Sequence, residues 1–148
     1  MKITIQTPKP NEEDEIIVKC RNLDDNLMKL ICRLKEEESK ITAYIDREIV
    51  QLLPKDIYYF EAVDNKVFAY CENQVYEVKE KLYEIENQLV YMDFVRISKS
   101  VIVSLFKIKS ISPMLNGKLE GKLKNGEKVI ISRQYVPELK KALGIKER

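Results

Sequence analysis

Three hydrophobic rhythms run along this chain, and each predicts a different kind of element. In residues 2–6 (KITIQ) and 15–20 (EIIVKC), β-branched residues alternate or cluster on either side of a polar, proline-bearing link, so both segments are predicted strands. The rhythm then lengthens. Leu23, Leu27, Leu30, Ile31 and Leu34 share one stripe, which predicts a helix running from an Asn22 cap to about Glu37. Two strands and one helix bury little by themselves. Residues 1–38 are therefore expected to form a small β-β-α extension that leans on the rest of the chain or on a second copy of itself.

From Lys40 the pattern becomes a series of short strands: ITAYI, EIVQLL, IYYFEAV, KVFAYC and QVYEV. Turn-type residues separate them at Asp46-Arg47, Pro54-Lys55-Asp56, Asp64-Asn65 and Glu72-Asn73, the signature of a β-meander. A helix is predicted at about 79–89, where Leu82, Ile85 and Leu89 share a face, followed by strand-like sequence from Tyr91 to Ile97. Residues 118–131 predict a hairpin with Asn125-Gly126 at its tip. A helix at about 135–143 closes the chain, with Pro137 in its first turn and Gly144 past its end. The expected fold class is mainly β with short helices, α+β overall, with residues 39–148 as the principal domain.

Composition narrows the function classes. With 148 residues the chain holds one domain and an appendage, and 45% hydrophobic residues suffice for a folded core. No segment approaches the roughly 20 apolar residues of a membrane-spanning helix, and the polar N-terminus lacks the apolar stretch of a secretory signal. A cytoplasmic protein is expected. Cys20, Cys32 and Cys71 stand far apart with no C-x-x-C pair, so they are expected to be reduced, mostly buried small hydrophobes without metal or redox chemistry. Histidine is absent, which removes Ser-His and Cys-His nucleophilic pairs and every histidine-bearing metal site. No phosphate-gripping glycine loop is present among four glycines, and the acidic runs at 12–15 and 36–38 lack the apolar flanks that raise a catalytic carboxyl pKa. Neither an enzyme nor a cofactor is expected.

Charge changes the picture further. The net +2 divides at Phe94 into −7 for residues 1–94 and +9 for residues 95–148, an asymmetry that points to a polyanion-binding end or to a lysine-solvated surface. Between Phe94 and Ser110, Arg96, Lys99, Lys107 and Lys109 stand without any acid, and Ser98-Lys99-Ser100 falls where the chain should be irregular. Lysine and hydroxyl donors on a loop suit phosphate oxygens and the acceptor edge of guanine. At Ser132-Arg133-Gln134-Tyr135 a strand is expected to give way to the last helix, and Arg133 offers a planar fork for a guanine edge or a phosphate.

These residues also carry a resemblance. The stretch DIYYFEA, the segment FVRISKSVIVSLFKI, the NG hairpin and the ending ISRQYVPELKKAL are similar, in order and spacing, to the LytTR DNA-binding domain, over about residues 40–144. The pairing of F-x-R-x-x-(K/R)-S-x-x-V with a later S-R-x-Y is the specific part. The resemblance implies layered β-sheets that insert loops, and no recognition helix, into successive major grooves of double-stranded DNA. Carried onto this chain, the implied contacts are Asn65 and Lys66, then Lys99 with Ser98 and Ser100 and the motif's Arg96, then Arg133. Two positions depart from the family pattern: Ser98 stands where histidine is frequent, and Ser104 where asparagine is frequent. The 38 residues ahead of the match are too few for a phosphoacceptor domain of roughly 120 residues. The resemblance therefore implies a stand-alone regulator, homodimeric on DNA, controlling its own operon and restrained by a small membrane-protein inhibitor. The competing reading is a module that sequesters a protein partner through the acidic first half and its amphipathic helix, without touching DNA.

Overall fold

The computed structural model describes residues 1–35 and 40–145. Within the N-terminal part only the helix forms. Residues 2–6 and 15–20, expected as strands, run exposed and without ladder hydrogen bonds on either side of a turn closed by the Glu12 N–H on the Lys9 carbonyl at 2.9 Å. Two isolated strands are marginal in water, and neither joins an edge of the main sheet. Helix α1 (Asp25–Leu34) starts later than expected, because Asp24 and not Asn22 caps it: the Leu27 N–H donates to Asp24 Oδ1 at 2.8 Å. The helix ends at Leu34 with Lys35 as its cap, short of the expected Glu37, and the expected domain boundary between residues 38 and 39 lies outside the described residues.

The five predicted strands form, but not as a simple meander: residues 48–52 and 57–63, consecutive in the chain, do not pair, and residues 41–45 pair instead with residues 75–78. Strands β1 (Ile41–Ile45), β2 (Glu48–Leu52), β3 (Ile57–Val63), β4 (Lys66–Cys71) and β5 (Val75–Val78) are joined by β6 (Phe94–Arg96) and β7 (Val101–Ser104) in one antiparallel sheet of order β2-β1-β5-β4-β3-β7-β6. The tight turns need left-handed backbone, and Asp46, Asp64 and Asn65 supply it at φ 53°, 50° and 63°. Helix α2 (Leu82–Gln88) is shorter than expected because the Lys81 N–H donates to Glu84 Oε1 at 3.2 Å, which sets its start. Strand β6 is also shorter, since residues 90–93 form a turn that ends on left-handed Asp93 at φ 59°. Strands β8 (Ile108–Pro113), β9 (Leu119–Leu123) and β10 (Lys128–Ile131) build a second, three-stranded sheet, and α3 (Val136–Ala142) follows it.

Three layers result. Alternation along the strands divides the apolar residues of the large sheet between its two faces. Phe60 and Ile102 pack with Leu82 and Ile85 of α2 and with Leu89, its C-cap, on one side. On the other, Tyr58 and Val103 pack with Leu119, Leu123, Val129 and Ile131 of the small sheet and with Leu139 of α3. A register shift between Ile57 and Tyr59 lets both Tyr58 and Tyr59 turn to the small-sheet side, as a β-bulge does. Tyr59 then stacks on Tyr70 with ring centroids 4.3 Å apart.

The antiparallel registers give the molecule two distinct ends. Pairing of Glu61 with Val101 and of Arg96 with Ile102 places the turns after β3 and after β6 at one end of the sheet. At the other end Phe94 pairs with Ser104, and the Leu105 N–H donates to the Asp93 carbonyl at 2.9 Å. Helix α1 is fastened there. Lys29 Nζ and Arg33 Nη2 reach the Asp93 carboxylate at 3.5 and 2.9 Å, and the Arg33 guanidinium lies over the Phe106 ring.

Candidate nucleic-acid interface

Residues 97–100 leave β6 and re-enter β7 as a short irregular loop, where the sequence pattern places one. Its shape is internally enforced. Arg96 Nε donates to the Ser98 carbonyl at 2.9 Å, Nη2 donates to the Lys99 carbonyl, and Nη1 meets Glu86 Oε1 of α2 at 3.2 Å. The Ser100 N–H donates to Ser98 Oγ at 3.2 Å. Arg96, Ser98 and Ser100 are half-buried, while Lys99 between the two serines is exposed. Of the four motif residues expected to face DNA, three shape the loop and one projects from it.

Two backbone hydrogen bonds bring the other expected contacts to this loop. The Ala62 N–H donates to the Ser100 carbonyl at 2.8 Å, so the Asp64-Asn65 turn and Lys66 follow directly from the strand edge beside it. The Ser132 N–H donates to the Ile97 carbonyl, also at 2.8 Å, which fastens the end of the small sheet to the same loop. Arg133 comes next, exposed, in a single 3-10 turn (Arg133–Tyr135) that leads into α3. Leu139, fully buried, anchors that helix behind it.

Asn65, Lys66, Lys99 and Arg133 therefore share one end of the molecule and are all exposed. Among the described residues none of Lys66, Lys99 and Arg133 forms a salt bridge. Unpaired cations on turns can take anionic oxygens without first breaking an ion pair. Lys107, equally prominent in the sequence, is not among them: its Nζ lies 4.7 Å from the Tyr58 ring centroid, and its carbonyl accepts from the Lys124 N–H beside the opposite end. Ser104 is buried at that opposite end as well, so its departure from the family pattern does not touch this surface.

One element of the site escaped the sequence reading. The β8–β9 connection, Met114–Lys118, closes through the Met114 N–H on the Lys118 carbonyl at 2.9 Å and carries left-handed Asn116 and Gly117. It lies against the Arg133 side chain. The available signal was a second Asn-Gly pair at 116–117, upstream of the one at the hairpin tip.

The LytTr DNA-binding domain family matches residues 47–144. An uncharacterized HTH-type transcriptional regulator from Staphylococcus aureus strain NCTC 8325 is 31% identical over 147 residues, covering 98% of this chain and 99% of that protein. A counterpart from strain MSSA476 is 30% identical over the same extent. A solved LytTr DNA-binding domain from Bacillus cereus superposes with a TM-score of 0.67 at 28% identity, over 71% of this chain and 96% of the other. Although the relatives are named HTH-type, the described helices α1, α2 and α3 are each separated by strands, so no two form a helix-turn-helix pair. By its sequence and by its fold, this chain belongs to the LytTR DNA-binding domain family.

Proposed function

We propose that this chain regulates transcription by binding double-stranded DNA sequence-specifically through the turns at one end of its large sheet. The carrying observation is the 2.8 Å hydrogen bond between Ser132 and Ile97, which puts Lys99 and Arg133 on the same end of the molecule. In this reading the turns enter successive major grooves. Lys66 and Lys99 neutralise phosphates and release counterions, and the Arg133 fork reads a guanine edge. Asn65 adds a polar donor and acceptor at the rim. Arg96, Ser98 and Ser100 act by holding Lys99 in place.

The test is footprinting of the chain on the region upstream of its own gene, since control of its own operon is part of the proposal. Protection that Arg133→Ala weakens by about 1–3 kcal/mol supports it. Binding that survives loss of both Lys99 and Arg133 side chains would remove it.

A specific observation favours a second activity at the other end. Leu23, Leu30 and Leu34 of the α1 region are exposed. We infer that this surface joins two copies of the chain on DNA. The alternative occupant is a small membrane-protein inhibitor. Mass in solution of a Leu23→Glu, Leu30→Glu, Leu34→Glu variant decides: a dimer that persists unchanged rules out this contact. No described helix is long and apolar enough to cross a membrane itself.

A further inference from the structure

The contact between Gly117 and Arg133 carries an inference that rests on the DNA-binding reading and deepens it. Gly117 has φ +75°, and a β-carbon placed on it would stand 2.9 Å from Arg133 Cδ, 3.1 Å from Cγ and 4.0 Å from Cβ. The aliphatic stem of the arginine thus runs along the bare glycine backbone. Arginine has many rotamers, and a stem laid on a surface loses most of them before any ligand arrives. A stem restricted on one side leaves the guanidinium fewer directions to take, which lowers the ordering cost of binding.

We propose that Gly117 is a positioning residue for Arg133 and, through it, sets how well the arginine discriminates its base. A side chain at 117 would not need to break the fold, because the obstructing atoms belong to a flexible, exposed arginine that can move aside. What it would displace is the direction of the fork, and a bidentate contact to a base edge tolerates little misdirection. The tip itself is closed by its own backbone hydrogen bond between Met114 and Lys118, so the platform does not depend on Arg133.

The structure also supplies matched controls. Gly144 has φ +73° and Gly126 φ +91°, and among the described residues, chain neighbours aside, neither has an atom within 4 Å of where a β-carbon would lie. Alanine at 117, 126 or 144 meets the same kind of backbone strain, but only at 117 does it meet Arg133. The experiment selects duplexes from a library with a randomised centre using the unaltered chain, then measures affinity and base preference on the selected duplex. Gly117→Ala should lose on the order of tenfold in affinity, at the same base pair whose preference Arg133→Ala abolishes. Gly126→Ala and Gly144→Ala should match the unaltered chain in base preference. Added to Arg133→Ala, the Gly117→Ala change should cost less than about twofold more, because two changes acting through one contact do not add.

Full additivity in the double variant, or a Gly144→Ala profile identical to that of Gly117→Ala, overturns the positioning role and leaves DNA binding standing. Failure of Arg133→Ala to alter any base preference overturns the DNA-reading role of Arg133 first, and this inference with it. Should Gly117→Ala fail to fold, Gly117→Asn brings in a β-carbon with less backbone strain and is held to the same outcomes.

Discussion

The Ser132 N–H donates to the Ile97 carbonyl across 2.8 Å, joining two segments that lie 35 residues apart along the chain. This bond and the neighbouring one from Ala62 to Ser100 convert three separate turns into a single surface. A rigid arrangement of turns costs little to order on binding, which suits a protein that must place several side chains on one duplex at once.

Binding is expected to be strongly salt-dependent, with Lys99 contributing a charge contact and no base readout. Each phosphate neutralised adds about 0.9 to the slope of log affinity against log salt. Lys99→Ala should therefore lower that slope by about 1 and weaken all sequences alike. A titration series over salt concentration, on the selected and on unrelated duplexes, measures both. An unchanged slope would exclude Lys99 from the phosphate backbone.

Arg96 should behave as a brace. Its side chain is only 18% exposed, and it donates to the Ser98 and Lys99 carbonyls and to Glu86. Arg96→Ala leaves those acceptors without their partner, so thermal unfolding should reveal a loss of about 1–3 kcal/mol. Arg96→Lys should recover little, since one ammonium cannot reproduce a fork that reaches three acceptors. A variant of unchanged stability whose DNA affinity nonetheless falls would show Arg96 to be a direct contact instead.

Release of α1 should leave DNA binding intact. Asp93, at φ 59°, fastens the helix through Lys29 and Arg33, at the end of the sheet away from Lys99. Asp93→Asn removes the charge while keeping a residue that tolerates this backbone. Because Arg33 is 56% exposed, the pairing contributes no more than about 1 kcal/mol. Hydrogen exchange should quicken across residues 25–34 alone, and affinity for a short single-site duplex should stay constant. Slower exchange, or a large loss on that duplex, would contradict this division of the molecule.

None of the three cysteines is fully buried, contrary to the expectation from sequence, and Cys71 should label more slowly than Cys20. Cys20 is exposed, whereas burial, reinforced by Asp56 and partly opposed by Lys107, pushes the Cys71 thiol up to about 11. Thiolate is the reactive form, so at pH 8 Cys71 carries very little of it and should react far more slowly than Cys20, gaining rate as pH rises toward 11. Stopped labelling followed by peptide mass analysis reads the order directly. Preferential labelling of Cys71 at neutral pH would refute it.

Where periodicity was strong and a neighbour close, local sequence was enough. Pattern and turn chemistry determined that the five strands between Ile41 and Val78 exist and that β1–β2, β3–β4 and β4–β5 are hairpins, whereas the pairing of β1 with β5 in place of a β2–β3 pairing was decided by the tertiary structure. The Asn125-Gly126 hairpin and the buried stripe of α2 were legible for the same reason. Residues 2–6 and 15–20 have equally good strand patterns and form none, because a strand needs a partner and these segments pair neither with each other nor with an edge of either sheet. At the site, sequence alone determined which residue types were available: Lys99 and Arg133 on turns, within a basic second half. Only the tertiary structure decided that Arg96 holds the loop from inside, that Lys107 lies at the end of the sheet opposite Lys99, and that Gly117 lies under Arg133. Those three outcomes depend on which end of a strand a residue reaches and what crosses over it, and hydrogen bonds between segments far apart in the chain settle both.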